Sequence, residues 1–236
     1  MTEQFKLNDF LELEYTGRTQ DNKIFDTNVP EEASKLGLDK VAGIKIICLG
    51  QSMILKAIDD FLLGKDLGKY TLTLEPEQAF GFRQPSLVKI MPMSVFQKQQ
   101  VYPQPGMVFS FDNALGKVSS VSGGRVIVDF NNPLASKQII YELEIKKLVS
   151  SQEEKIKALM IAFFQQEFPF RIQENKLVIE TKNNFSKFVV LFKDKFKEIL
   201  NLELEVEEKI EEVANKSEKP LETADKNGKS TIPPTA

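Results

Sequence analysis

Separated stretches of this chain alternate apolar and polar residues with the period of a β-strand, and that repeat limits the folds open to it. Leu11, Leu13 and Tyr15 interleave with Glu12, Glu14 and Thr16. Tyr70, Leu72 and Leu74 repeat the pattern, and Ile139, Tyr141, Leu143 and Ile145 repeat it again around Glu142, Glu144 and Lys146. Successive strand side chains point to opposite faces, so each stretch has one apolar and one polar face. Parallel sheets, covered on both sides, read instead as continuous apolar runs, so the spacing predicts antiparallel pairing with one solvated face. Ile54, Leu55, Ile58, Phe61 and Leu62 fall on one helical face after Gly50-Gln51-Ser52, which supplies a short helix to cover the sheet. The fold class is α+β.

From about Phe82 to Ser136 the pattern changes, with Pro85, Pro92, Pro103, Pro105 and Pro133 punctuating short strands. Val108 to Phe111, Gly116 to Val121 and Arg125 to Phe130 read as a small sheet, the last two joined by a tight turn at Ser122-Gly123-Gly124. Because Ile139 to Ile145 returns to the first pattern, the chain is expected to leave the first sheet near Gly81 and re-enter it near Lys137. The expected units are therefore 1–83 plus 137–149, with an inserted all-β unit at 84–136. Beyond them, Ile156, Leu159, Met160, Phe163 and Phe164 form a helical stripe, and Leu177, Val178 and Ile179 suggest a strand. Phe188, Phe192, Phe196, Ile199 and Leu200 mark a second amphipathic helix with Asn183 or Asn184 as N-cap, before alternation at Leu202, Leu204 and Val206. This α/β module, 151–213, is small enough to share an apolar face with the first unit or with a second copy, and a homodimer through it is expected, the stripe being equally readable as the module's own core. Residues 214–236, mixed in charge and poor in apolar groups, read as a disordered tail.

Composition narrows the chemistry. The chain has no His and no Trp. Without imidazole there is no Ser/His/Asp or Cys/His nucleophile system and no His-ligated metal. The lone Cys48 lies in an apolar run, reads as a small buried hydrophobe, and suits a reducing compartment. Lys plus Arg number 31 against 34 Asp plus Glu, which argues against a nucleic-acid partner. The N-terminal MTEQFKLNDF lacks a cationic start and an apolar core, and no stretch approaches the ~20 apolar residues of a membrane span, so a cytoplasmic protein without a membrane partner is expected. Phosphate-cradling Gly-rich loops, nucleophile elbows, paired Cys and kinase signatures are absent.

One constellation remains: Tyr15-Thr16-Gly17, Phe25-Asp26-Thr27, Leu49-Gly50-Gln51 leading into Ile54-Leu55, Ala79-Phe80-Gly81, and Tyr141. In this order the chain resembles the FKBP-type peptidyl-prolyl cis/trans isomerases, and within them the long archaeal members related to the SlyD subgroup. YTGRTQDNKIFDTN is similar to the family's opening hairpin, and GQSMILKAIDDFLLGKDLGKYTLTLEPEQAFG to its helix and following strand. GKVSSVSGGRVIVDFNNPLASKQIIYELEI is similar to the exit of an inserted domain and the final strand. The resemblance spans about residues 5–149, with a looser match in the C-terminal module.

The resemblance implies an FKBP-like sheet wrapped on a short helix, an insert-in-flap domain, and isomerisation of Xaa-Pro bonds without a cofactor. It places Tyr15, Phe25, Asp26, Ile54, Leu55, Ile58, Phe80 and Tyr141 around the prolyl pocket, with Ile58 as its floor and the Leu55 backbone N–H holding a substrate carbonyl. Read from sequence alone, Phe25, Ile54, Leu55 and Tyr141 are equally core residues. In the insert, Val95, Phe96, Val101, Tyr102, Met107, Val108, Phe109 and Phe130 are candidates for binding unfolded chains, or else its own core. The partners implied are unfolded or proline-containing polypeptides; the alternative function is a holdase with little isomerase activity. This chain departs from the family pattern at Ile58, where many members carry Trp, and at Phe80, where many carry Tyr, which implies weaker catalysis. Asn132 and Ser136 stand where His and Gly are frequent. The tail SEKPLETADKNGKSTIPPTA has no His or Cys, so the metal-binding tail of some relatives is not carried over and no metal is expected.

Overall fold

A computed structural model describes residues 4–37, 43, 45–111, 114–182 and 185–209. Each alternating stretch is a strand. β1 (Phe10–Thr19) lies at the middle of a five-stranded sheet, with β2 (Ile24–Thr27) and β3 (Lys45–Cys48) sharing one of its edges and β9 (Ile139–Leu148) on the other; β4 (Gly68–Leu74) completes the order β2-β1-β9-β4. All of these pairings are antiparallel. A short helix, α1 (Pro30–Lys35), follows β2, and α2 (Lys56–Leu62) covers the inner face.

Register decides which residues meet. Tyr15 pairs with Leu143 and Gly17 with Tyr141 across β1 and β9, while Leu72 pairs with Tyr141 and Leu74 with Ile139 across β4 and β9. Leu11, Leu13, Tyr15, Leu74, Ile139, Tyr141 and Ile145 thus share one face, buried together with Ile47, Ile58 and Leu62. On the opposite face Lys146 bridges Glu14 (3.0 Å) and Glu144 (2.9 Å), and Lys69 reaches Glu144 (3.3 Å). That face is solvated only in part. Phe10, Ile46, Cys48 and Val149 lie beneath α4 (Gln152–Phe164), which buries Ile156, Leu159, Met160 and Phe164 in the same cluster. The C-terminal module therefore shares its core with the first sheet, and a register shift in β9 opposite Glu12 and Leu13 marks where the covered part begins.

The segment after β4 builds a separate four-stranded antiparallel sheet in the order β5-β8-β7-β6, from β5 (Val88–Pro92), β6 (Val108–Phe111), β7 (Ala114–Ser122) and β8 (Arg125–Asp129). Gly123 and Gly124 both have positive φ, as the tight type I′ hairpin turn requires. Two features differ from the sequence reading. β5 is an additional edge strand ending in Pro92, where a missing N–H does no harm, and one short helix, α3 (Met93–Gln97), makes the unit not purely β.

In the C-terminal module β10 (Phe170–Gln173) pairs antiparallel with β11 (Lys176–Lys182), and β12 (Glu203–Lys209) pairs parallel with β11. The expected single helix is two, α5 (Ser186–Val190) and α6 (Lys193–Leu200), which make the crossover a parallel pair needs. Phe185, Phe188, Phe192 and Phe196, on these helices and at their starts, form a chain of ring contacts with Phe163, Phe164 and Phe168, with Phe163 and Phe192 stacked at 4.9 Å. The N-cap expected at Asn183 or Asn184 and the tail expected at 214–236 lie outside the described residues. Among the described residues no helix is long and apolar enough to cross a membrane.

Candidate active site

Strict alternation would send Phe25 and Asp26 to opposite faces of β2. The register instead shifts between Gly17, which pairs with Asp26, and Arg18, which pairs with Ile24, leaving Phe25 as the extra residue of a bulge. Both neighbours consequently reach Tyr141. The Phe25 ring meets the Tyr141 ring edge-on at 5.7 Å, and the Tyr141 hydroxyl donates to Asp26 Oδ2 at 3.0 Å. Phe80 closes on Phe25 at 5.9 Å, again edge-on, and Tyr15 lies 6.1 Å from Tyr141. Such edge-to-face pairs align positive ring edges with negative ring faces.

Gly17 makes this convergence possible. A Cβ there would stand 2.8 Å from Phe25 Cζ and 2.9 Å from Tyr141 Cζ, so any larger residue pushes the rings out of the space over β1. Just beyond β2, Asn28 takes over the pairing with β1: it is buried, its Oδ1 accepts the Tyr15 N–H at 2.7 Å, and its Nδ2 donates to the Leu13 carbonyl at 2.7 Å. Thr27 Oγ1 donates to the Tyr15 carbonyl. These bonds satisfy the buried backbone of β1 where β2 ends and fix Tyr15 in place.

Residues leading into α2 pack on the same buried cluster. Ile54 and Leu55 precede the helix rather than lying on its face, with Leu55 as N-cap. The Leu55 carbonyl accepts from Ile58 (2.8 Å) and Asp59 (3.2 Å), while its own N–H has no backbone acceptor among the described residues and is left as a donor. Ile58 is fully buried beneath them. Asp59, buried beside it, accepts the Ser52 N–H through Oδ2 at 3.1 Å and ties the preceding loop to the helix. Burial holds the Asp59 carboxyl above the usual carboxylate range, against the N–H groups of Ser52 and Gly50, and its Oδ1 has no hydrogen-bond partner among the described residues.

The eight residues expected around a pocket are thus together. Tyr15, Ile58 and Tyr141 form a buried base, and Phe25, Ile54, Leu55 and Phe80 a half-buried lip packed on it, with Asp26 the carboxylate held by Tyr141. Burial, reinforced by the Asp26 charge, pushes the Tyr15 phenol up to about 12 and raises Tyr141 further, so both remain protonated donors at neutral pH. Gly17, Asn28 and Asp59 were not among the expected site residues; only the position of Gly17 opposite two aromatic-bearing strands offered a signal.

The candidates in the four-stranded sheet divide. Phe96 is core, buried with Val118, Val126 and Val128, and Val95, Phe109 and Phe130 pack against that core. Gly116 leaves room there, since a Cβ would stand 2.8 Å from Phe130. Val101 is half-buried, whereas Tyr102, Met107 and Val108 are exposed. Ile90 and Leu115, exposed by 65% and 69%, are further exposed apolar residues of this sheet and were not expected. Among the described residues no group of three or more His, Cys, Asp or Glu is placed to hold a metal ion.

Comparison with known proteins points to one family. Residues 89–134 match the family model described as the FKBP26 IF domain. A short-type peptidyl-prolyl cis-trans isomerase of Methanocaldococcus jannaschii is 24% identical over 159 residues, 65% of this chain and 100% of that protein. A probable FKBP-type 16 kDa peptidyl-prolyl cis-trans isomerase of Pseudomonas fluorescens is 34% identical over 103 residues, 41% of this chain and 67% of the relative. The SlyD isomerase of Vibrio cholerae is 30% identical over 112 residues, 45% of this chain and 55% of that protein. An antiparallel sheet closed on a short helix around aromatic side chains defines the class, a prolyl-isomerase-like α+β protein. The chain belongs to the FKBP-type peptidyl-prolyl cis-trans isomerase family and is an enzyme of that family.

Proposed function

We propose that the cleft between Phe25, Phe80 and the Ile54-Leu55 edge binds the prolyl ring of a polypeptide and catalyses rotation about its Xaa-Pro bond. Unaided, that rotation faces a barrier of about 18 to 20 kcal/mol and takes tens to hundreds of seconds. Twisting the C–N bond removes amide resonance and its charge separation, so an apolar, aromatic cleft favours the twisted state over the planar one. No proton is transferred and no nucleophile is needed, which suits a chain without His. The observation that carries this reading is the convergence of Phe25 and Asp26, neighbours on a bulge, upon Tyr141. In it, Asp26 is held by Tyr141 as a fixed negative group rather than a base, and the free Leu55 N–H receives the substrate carbonyl.

The four-stranded sheet, taken as an insert at 84–136, is proposed to hold unfolded chains on Ile90, Tyr102, Met107, Val108 and Leu115. Holding a chain there raises the effective concentration of its prolyl segments at the cleft. The module at 151–213 is proposed to meet a second copy through exposed Phe188, Val190 and Leu191, and the lone buried thiol suits a cytoplasmic setting. Deleting residues 84–136 tests the division of labour: isomerisation of a short prolyl peptide persists while suppression of aggregation is lost. A chain that suppresses aggregation but accelerates no peptide isomerisation is a holdase instead.

A further inference from the structure

The two segments that join the five-stranded and four-stranded sheets run side by side and are tied rung by rung. The Ser136 N–H donates to the Gly81 carbonyl at 2.7 Å, and the Arg83 N–H donates to Ser136 Oγ at 2.8 Å. The Gln84 N–H donates to Asn131 Oδ1 at 2.8 Å, and Asn131 Nδ2 donates back to the Gln84 carbonyl (3.1 Å) and to Asp129 Oδ1 (2.7 Å). The Arg83 guanidinium pairs with Asp129 Oδ2, and the Phe130 N–H donates to the Leu87 carbonyl at 3.0 Å. Contacts to Asn131 and Arg83 outweigh the effect of burial on Asp129 and hold it below the usual carboxylate range.

Ser136 has φ +62°, a left-handed conformation that costs a non-glycine residue. Such strain persists where the surroundings fix it. Here the hydroxyl accepts a backbone N–H from the opposite strand, which glycine would leave without that partner. Asn132 Oδ1 accepts the Leu134 N–H at 2.8 Å and sets the turn that delivers Ser136. The carbonyl that Ser136 holds belongs to Gly81, directly after the cleft wall Phe80.

We propose that this seam is a stiff strut fixing the four-stranded sheet relative to the cleft, with Arg83, Asp129 and Ser136 as positioning residues for isomerisation of long polypeptides. The proposal rests on the cleft reading above. A long substrate engages sheet and cleft at once, and its effective concentration at the cleft is greatest when the joint is stiff and correctly aimed. A short peptide engages the cleft alone and gains nothing from the strut.

The test compares wild type, Arg83→Ala, Asp129→Asn and Ser136→Gly in the full chain, on proline-limited refolding of an unfolded protein and on a prolyl tetrapeptide. Ser136→Gly removes the hydroxyl while relieving the left-handed strain, so it keeps the fold. The expected result is a fall in kcat/KM of about three- to tenfold on the refolding protein, carried by KM, with the tetrapeptide rate unchanged. Arg83→Lys, which keeps the charge, recovers part of the loss. Equal losses on both substrates, or none on either in variants of an active wild type, overturn the strut. A folded wild type inert toward the tetrapeptide sinks the cleft reading first, and the strut with it.

Discussion

Tyr141 is only 1% exposed and lies in the core beside the proposed cleft, which separates two substitutions that look alike in sequence. Tyr141→Ala leaves a cavity and costs about 3 to 5 kcal/mol of stability, so lost activity there says little about chemistry. Tyr141→Phe keeps the volume and removes only the donor to Asp26. It is expected to fold and to lose about three- to tenfold in peptide isomerisation, measured as kcat/KM, because one hydrogen bond is worth roughly 0.5 to 1.5 kcal/mol. Gly17→Ala is expected to destabilise by about 1 to 3 kcal/mol in denaturant titration, since its methyl must displace Phe25 or Tyr141. Tyr15 gives a pH signature. Its phenol is raised from 10.0 to about 12 on folding, so the neutral form contributes stability that is complete below pH 10 and is lost as pH rises towards 12. The melting temperature should fall over that interval, and less steeply in Tyr15→Phe.

At the scale of elements, period-two alternation was enough to find β1, β4 and β9, because one face of each is buried and the other carries ion pairs. The same alternation could not show the bulge in β2, since a bulge is a property of pairing between strands; the family resemblance, not the spacing, brought Phe25 and Asp26 to one site. β5 escaped notice because Val88–Pro92 ends in proline and exposes Ile90. The Phe188 to Leu200 stripe read as one helix although the backbone breaks near Leu191 and Phe192, because the phenylalanines keep contact across the break. Phe10 and Cys48 carry the least visible relation, that of β1 and β3 with α4. Burial, then the charges of Asp59 and Asp9, push the Cys48 thiol up to about 12. At pH 8 it is expected to resist a disulfide reagent in the native protein and to react once α4 is lifted by denaturant or removed; rapid labelling of the native chain would contradict the shared core.

For the whole molecule, the joining segments matter as much as the sheets they join. Sequence spacing placed the exit near Gly81 and the return near Lys137, and hydrogen bonds at Gly81, Arg83, Asn131 and Ser136 lie across those places. Side-chain exposure around the four-stranded sheet was not legible, because on a small sheet apolar residues of both faces look alike: Phe96 is core while Tyr102 is 77% exposed. The central claim is catalysis at the aromatic cleft, and two-dimensional exchange NMR on a short Xaa-Pro peptide with catalytic amounts of the full chain tests it most directly. Cis–trans exchange peaks are expected at mixing times of about a second or less, far inside the uncatalysed tens of seconds, and Phe25→Ala should weaken them at least about tenfold while staying folded. Absence of exchange with folded wild type, or undiminished exchange with Phe25→Ala, would contradict the account.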